Sequence, residues 1–215
     1  MKKIGLFYFL FLMLSLSVNA SLPIAIPSFN DPYSSYVQKL ENGDLNIDFK
    51  EFRFSFIDSE QFLVAAEKFV VKDSLTEAMY AELRKENYKA IVNITSQLLS
   101  IDYTDLTVHN LRRQSCELTG DSIQAKKHEG ILLGLLGSIL MNKDGETCET
   151  GWQIIQLSEA YFIIQMLGAE ILPETEVTEN NNCEQFLVKG KEQTSTIFFD
   201  IKKMQEGYQR LEEQD

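Results

Sequence analysis

The sequence predicts a mainly α-helical domain closed by a small C-terminal β-hairpin. Three observations predict it. Apolar residues recur at three- and four-residue spacing through most of the stretch from residue 33 to residue 140. They alternate with other side chains in two short runs, 183–188 and 195–201. The 215 residues, 44% hydrophobic and 24% charged with 4 prolines and 11 glycines, have the balance of a single folded domain.

Taken in order, the N-terminus comes first. Lys2 and Lys3 precede an apolar run from Ile4 to Leu14, and Val18 and Ala20 place small residues where a signal peptidase reads them. Residues 1–20 therefore read as a cleavable signal peptide, cut after Ala20. An uncleaved anchor ranks second, because a spanning helix needs ~20 apolar residues and this run is shorter. The mature chain is expected to be exported, periplasmic or secreted, with no stable membrane span.

Asn30 and Asp31 before Pro32 open a helix carrying Tyr33, Tyr36, Val37 and Leu40 on one face, and Gly43 ends it. In the segment 47–57, Phe49, Phe52 and Phe56 favour a helix, although Phe52, Phe54 and Phe56 also alternate. The run 62–71 fits helix and strand alike. Then the helical signal sharpens. Leu75, Met79 and Leu83 form one stripe; Tyr88, Ile91, Val92, Thr95, Leu98 and Leu99 form the next; Val108, Leu111 and Leu118 follow, and Ile131, Leu132, Leu135, Leu136, Ile139 and Leu140 make a broad face. The turns Asp102-Tyr103-Thr104-Asp105 and Thr119-Gly120-Asp121 are short. Gly130, Gly134 and Gly137 form a small-residue ridge suited to close helix packing.

A further helix is expected from Thr147 or Thr150, with Thr150 and Gln153 as a capping box and an apolar body over 152–167, closed by Gly168. Residues 170–182 read as an acidic surface loop. The hairpin occupies 183–201, and 202–215 is a charged tail, a frayed surface helix. The domain proper is thus 21–201.

Two resemblances follow from particular residues. Tyr88-Lys89-Ala90-Ile91, Leu98-Leu99-Ser100-Ile101-Asp102 and Leu118-Thr119-Gly120-Asp121 with Ala125 resemble one tetratricopeptide repeat and the opening of another, within helices spanning 73–141. Ala90 and Ala125 stand 35 positions apart, near the usual ~34. Tyr103 stands where that repeat favours proline. The resemblance implies a tetratricopeptide-like helical bundle rather than a solenoid.

His128-Glu129-Gly130-Ile131-Leu132, Lys143-Asp144-Gly145-Glu146-Thr147 and Ser158-Glu159-Ala160-Tyr161, with Phe198-Phe199-Asp200, make roughly residues 31–201 similar to domain-of-unknown-function family forty-nine-nineteen. That resemblance implies an exported bacterial protein with repeat-like helices, a Gly-Asp-Gly turn before a long helix ending in a Glu-Glu-Tyr patch, and a closing strand pair ending in Tyr-Phe-Asp. It brings no activity. The sequence departs from the pattern at Lys143, at Ser158 and Ala160, and at Phe198.

Charge and cysteines narrow the function classes. With 20 basic and 32 acidic residues, net −12, the chain is no phosphate-neutralising nucleic-acid binder. Removal of 1–20 takes two lysines and leaves net −14. Cys116, Cys148 and Cys183 allow at most one internal disulfide, for which Cys148 and Cys183 are the candidates, being in loop-like sequence, while Cys116 lies in a helical pattern. No phosphate loop, nucleophile elbow, Ser-x-x-Lys or Cys-x-x-Cys is present.

No catalytic residue, metal site or cofactor is assigned. A hydrolytic or metal-dependent alternative would join His128, Asp144, Glu149 and Glu159 at one end of two helices. The simpler expectation is that His128 is a satisfied core or boundary histidine and that Glu159, among apolar neighbours, hydrogen-bonds a helix end or pairs with Arg53, Arg112 or Arg113. His109 is expected in solvent. The preferred function is a non-enzymatic protein-interaction or envelope-associated module whose groove draws on Tyr80, Asn87, Lys89, Asn93, Gln97 and Asn110, with an unknown protein of the cell envelope as partner.

Overall fold

The computed structural model describes residues 22–173 and 182–213. The expected signal peptide and most of the expected acidic loop lie outside the described residues. Within them the chain is mostly helical with a small C-terminal sheet. The helices are α1 (Pro32–Glu41), α2 (Phe49–Asp58), α3 (Glu60–Glu67), α4 (Phe69–Arg84), α5 (Tyr88–Ile101), α6 (Leu106–Leu118), α7 (Ser122–Leu140), α8 (Leu157–Met166) and α9 (Lys202–Glu212).

Local chemistry explains where most of them start. Asp31, Asp48, Ser59, Asn87, Asp105 and Asp121 each accept a backbone N–H of the first turn with a side-chain oxygen, at the heads of α1, α2, α3, α5, α6 and α7. Pro32 sits in the first turn of α1, where its missing N–H is not needed. The run that fitted helix and strand alike becomes α3 and the start of α4, parted at Lys68.

Helices α4 to α7 pack in succession, each against the next. The glycine ridge of α7 meets the chain around α2: Leu45 lies over Gly130 and the Phe49 ring over Gly134, so close that a Cβ there would stand 2.3 Å from the ring. Gly137 faces open space. Tyr33, Phe52, Phe56 and Tyr103 form an aromatic centre between α1, α2 and the α5–α6 turn, with Tyr33 stacked on Phe52 at 5.6 Å.

The region 147–156 differs from expectation. The hydroxyls of Thr147 and Thr150 bond each other and each other's backbone N–H, closing a turn instead of capping a helix. Trp152–Gln153 is strand β1 and pairs in parallel with Phe199–Asp200 of β4 (Thr194–Asp200). The helix starts only at Leu157. Gly151 lets the two backbones meet, since a Cβ there would lie 3.1 Å from Asp200 N. A ladder partner far along the chain thus overrides the local helical pattern.

The expected hairpin is present as β3 (Cys183–Lys189) and β4, antiparallel from Cys183↔Asp200 to Lys189↔Thr194. It is widened to a four-stranded sheet, order β1-β4-β3-β2, by β2 (Glu170–Ile171), which lies in what was expected to be loop. Cys148 and Cys183 form a disulfide, and Cys116 is a buried free thiol.

The tail is not a frayed appendage. In α9, Met204 and Gly207 are buried, Gly207 against Phe62 and Ile57, and Arg210 Nη1 donates to the carbonyls of Ile57 (2.7 Å) and Ser59 (2.8 Å) at the end of α2. No helix among the described residues is long and apolar enough to cross a membrane.

Candidate functional site

The four residues of the catalytic alternative are not brought together as partners. Asp144 and Glu149 are exposed near the Gly145 turn, whereas His128 and Glu159 are buried with partners of their own. No hydrogen bond or ion pair described joins any two of the four. Among the described residues there is no group of three His, Cys, Asp or Glu placed to hold a metal ion.

His128 lies in a buried relay. Arg112 Nε donates to His128 Nε2 (2.8 Å), His128 Nδ1 faces His109 Nδ1 (2.9 Å), and His109 Nε2 meets the carbonyl of Tyr103 (2.9 Å). A carbonyl only accepts, so His109 carries its proton on Nε2 and leaves Nδ1 bare. His128 must then donate from Nδ1 and accept on Nε2, which is where Arg112 donates. Each ring holds one proton and is neutral. Burial, with the positive charge of Arg112 adding to it, pushes His109 down to about 4. Burial, then His109 and Arg112, pushes His128 far below the ordinary histidine range. His109, expected in solvent, is instead fully buried, because the α5–α6 turn folds over it.

Arg112 itself is buried and takes part in no ion pair among the described residues. Its Nη1 donates to Val92 O (2.6 Å), Ser96 Oγ (2.7 Å) and Thr95 Oγ1 (3.3 Å) on α5. Glu159 has Arg53 as its partner: Nε reaches Oε1 at 2.8 Å and Nη2 reaches Oε2 at 2.7 Å, a forked pair closed off from water. Arg53 also donates to Gln153 O (3.0 Å), and Ile155 N–H donates to Glu159 (2.8 Å), so this pair clasps α2, β1 and the entry to α8. These groups hold the fold.

The six expected groove residues lie on α4, α5 and α6 or at their ends, several of them engaged within the chain. Asn87 caps α5 and donates to Glu82. Asn93 Oδ1 accepts from Leu22 N of this same chain, whose extended segment runs along α5 with Ser96 Oγ bonded to Leu22 O and Ser100 Oγ accepting from Ala25 N. Gln97 donates to Asn93 O, Asn110 accepts from Gln114, and Lys89 is exposed. Of the six, Tyr80 lines a cleft between α4 and α9.

That cleft, of about 600 Å³, opens between α3, α4, the α5–α6 turn, the entry to α8, and α9. Phe56, Phe62, Phe69, Met79 and Met204 give it apolar walls, and Tyr208 stands at its edge. Its polar end is built on the turn Asp102-Tyr103-Thr104-Asp105. Lys72 Nζ lies 2.8 Å from Asp102 Oδ2 and 3.5 Å from Asp105 Oδ2, and Gln156 Nε2 donates to Asp102 Oδ2 at 2.9 Å. Burial acts to lower Lys72, but Asp102 and Asp105 outweigh it and hold the ammonium above its ordinary range. Burial acts to raise Asp102, and Lys72, Thr104 and Gln156 outweigh it and hold the carboxyl low. Asp105, raised by burial and by the charge of Asp102, stays above the ordinary carboxylate value despite Lys72.

A family model described as "Domain of unknown function (DUF4919)" matches residues 30–210, well over half of the chain. The chain belongs to that family. No curated protein and no solved structure matches it. In this DUF4919 chain two of the stretches that carried the resemblance meet in space, Gly145 O accepting from Phe198 N, and Glu159 of a third holds Arg53. They are structural positions. The match also takes in most of α9, in keeping with a tail that is part of the fold.

Sequence reasoning missed Lys72, Asp102, Asp105 and Gln156, which it passed over as helix surface, turn and flank. One signal was available. Tyr103 departs from the proline of the tetratricopeptide pattern, and its N–H donates to Tyr33 Oη (2.9 Å), a bond proline cannot make.

Proposed function

We propose that this DUF4919 protein is an exported, non-enzymatic binding module whose tetratricopeptide-like helices frame a partner site in the cleft between α3, α4 and α9. The cleft carries this reading: it has the size of a ligand site, predominantly apolar walls and a few converging polar groups at one end. Export is supported by the N-terminal pattern Lys2-Lys3, apolar run, Val18-x-Ala20, and by the Cys148–Cys183 disulfide, which persists in oxidising compartments. The residues of the catalytic alternative have their polar atoms engaged with Arg53, Arg112 and His109 or lie apart in solvent.

The test is a photoreactive p-benzoylphenylalanine placed at Tyr208, at the cleft, and at Ile123, an exposed residue that does not line it. In cells expressing the full chain, a discrete adduct at Tyr208 and none at Ile123 is the expected result. Equal labelling at both, or none at either, overturns the reading. N-terminal sequencing of the same material is expected to begin at Ser21.

A further inference from the structure

The apolar surface of the cleft continues past its mouth. Phe69 lines the cleft and is exposed at 69%, and Val70, the next residue, lies just outside it and is exposed at 76%. A small ligand seated inside would leave Val70 in water, whereas a length of polypeptide running over the rim covers it.

The charges along the same cleft are unequal. One lysine, Lys72, lines the cleft together with three carboxylates, Asp73, Asp102 and Asp105. Asp102 is saturated: Oδ1 accepts from Thr104 N (2.9 Å) and Thr104 Oγ1 (2.7 Å), and Oδ2 accepts from Lys72 and Gln156. Asp105 gives Oδ1 to Val108 N, while its Oδ2 has only the longer 3.5 Å approach of Lys72. The Asp73 side chain is exposed and makes no hydrogen bond or ion pair among the described residues. Asp73 is therefore left to a cation from outside, and Asp105 shares the single ammonium of Lys72 with Asp102.

We propose that the occupant is a segment of a partner protein that is apolar and carries a lysine or arginine. Its apolar side chains seat against Phe62, Phe69 and Met204, and its cation meets Asp73, with Asp105, only half neutralised by Lys72, adding to the attraction. Apolar burial supplies the affinity, and the ion pair sets register and excludes acidic segments, which the net charge of −12 repels further. This inference rests on the binding role proposed above for the cleft.

The probe is a random dodecapeptide display library selected on the mature protein, with selected peptides synthesised and their Kd measured at low and high salt. The expected peptides combine two or more apolar residues with a Lys or Arg and bind more weakly at high salt. In Asp73→Asn with Asp105→Asn their affinity falls about tenfold and the salt dependence flattens, while Phe69→Ser weakens binding at both salts. Asparagine keeps the α6 cap, and the exposed Asp73→Asn alone gives a smaller loss in the same direction. Acidic or uncharged peptides that Phe69→Ser still weakens overturn the inference and leave the binding role standing. Basic peptides indifferent to the Asn variants, or no enrichment at all, overturn the inference, and the adduct at Tyr208 then judges the binding role separately.

Discussion

Each imidazole in the chain Arg112–His128–His109–Tyr103 has one proton and two partners, so a second proton has nowhere to go: on His128 it would point at the Arg112 N–H, and on His109 at the His128 N–H. The consequence for stability has a definite sign. In the unfolded chain these histidines take up protons below about pH 6.5. In the folded chain His109 does so only at about 4, and His128 lower still. Stability is unaffected above pH 6.5 and falls as the pH drops from there towards 4, by about 3 kcal/mol for His109 alone. Urea unfolding at pH 7.0, 5.5 and 4.5 measures it, and His109→Gln is expected to flatten the slope in that window. Arg53 and Glu159 illustrate a different dependence. Removing either partner alone, as in Arg53→Met or Glu159→Leu, leaves a buried charge and costs about 3–5 kcal/mol, whereas the double replacement recovers most of that loss. Unfolding midpoints of the three variants decide it; an additive double variant would count against the clasp.

Among the elements, the α4–α5 turn stores strain in a residue ill suited to it. Glu86 is exposed with φ +56°, and Asn87 N–H reaches back to Glu82 O (3.0 Å) to close the end of α4. A left-handed residue costs a side-chain-bearing amino acid roughly 1 kcal/mol, so Glu86→Gly is expected to raise stability by about 0.5–1 kcal/mol in urea titration. The stretch 152–167 teaches the opposite lesson about local signals. Its apolar residues fall on every side, so periodicity assigns no face, and Trp152–Gln153 is drawn into the sheet by Phe199–Asp200. By contrast α5, α6 and α7 each open on a side-chain cap at Asn87, Asp105 and Asp121, and they begin where the sequence places them.

Across the whole molecule, the disulfide joins the turn before β1 to the first residue of β3, closing a 35-residue separation that includes α8 and β2. Loop-closure entropy for such a length is worth about 3–4 kcal/mol, so Cys148→Ser with Cys183→Ser is expected to lose that much, read as a lower urea midpoint in non-reducing buffer. Helix α9 returns to cover α2 and makes one wall of the cleft, so a segment that looks like solvated charge in one dimension is part of both the core and the proposed site. By itself the sequence determined the helical class, the Asp31–Pro32 start of α1, the glycine stops and the hairpin, and it named Arg53 among the partners Glu159 could take. All but the last follow from forces acting between residues a few positions apart, which spacing records. Only the tertiary structure decided that Arg53, 106 residues from Glu159, is the partner, that His109 and His128 share a buried hydrogen bond, that Trp152 lies in a strand, and that Lys72, Asp102, Asp105 and Gln156 meet at one end of a cleft. Each of those depends on a partner distant in the chain, and a buried polar group is identified by what satisfies it in space, which no local pattern encodes.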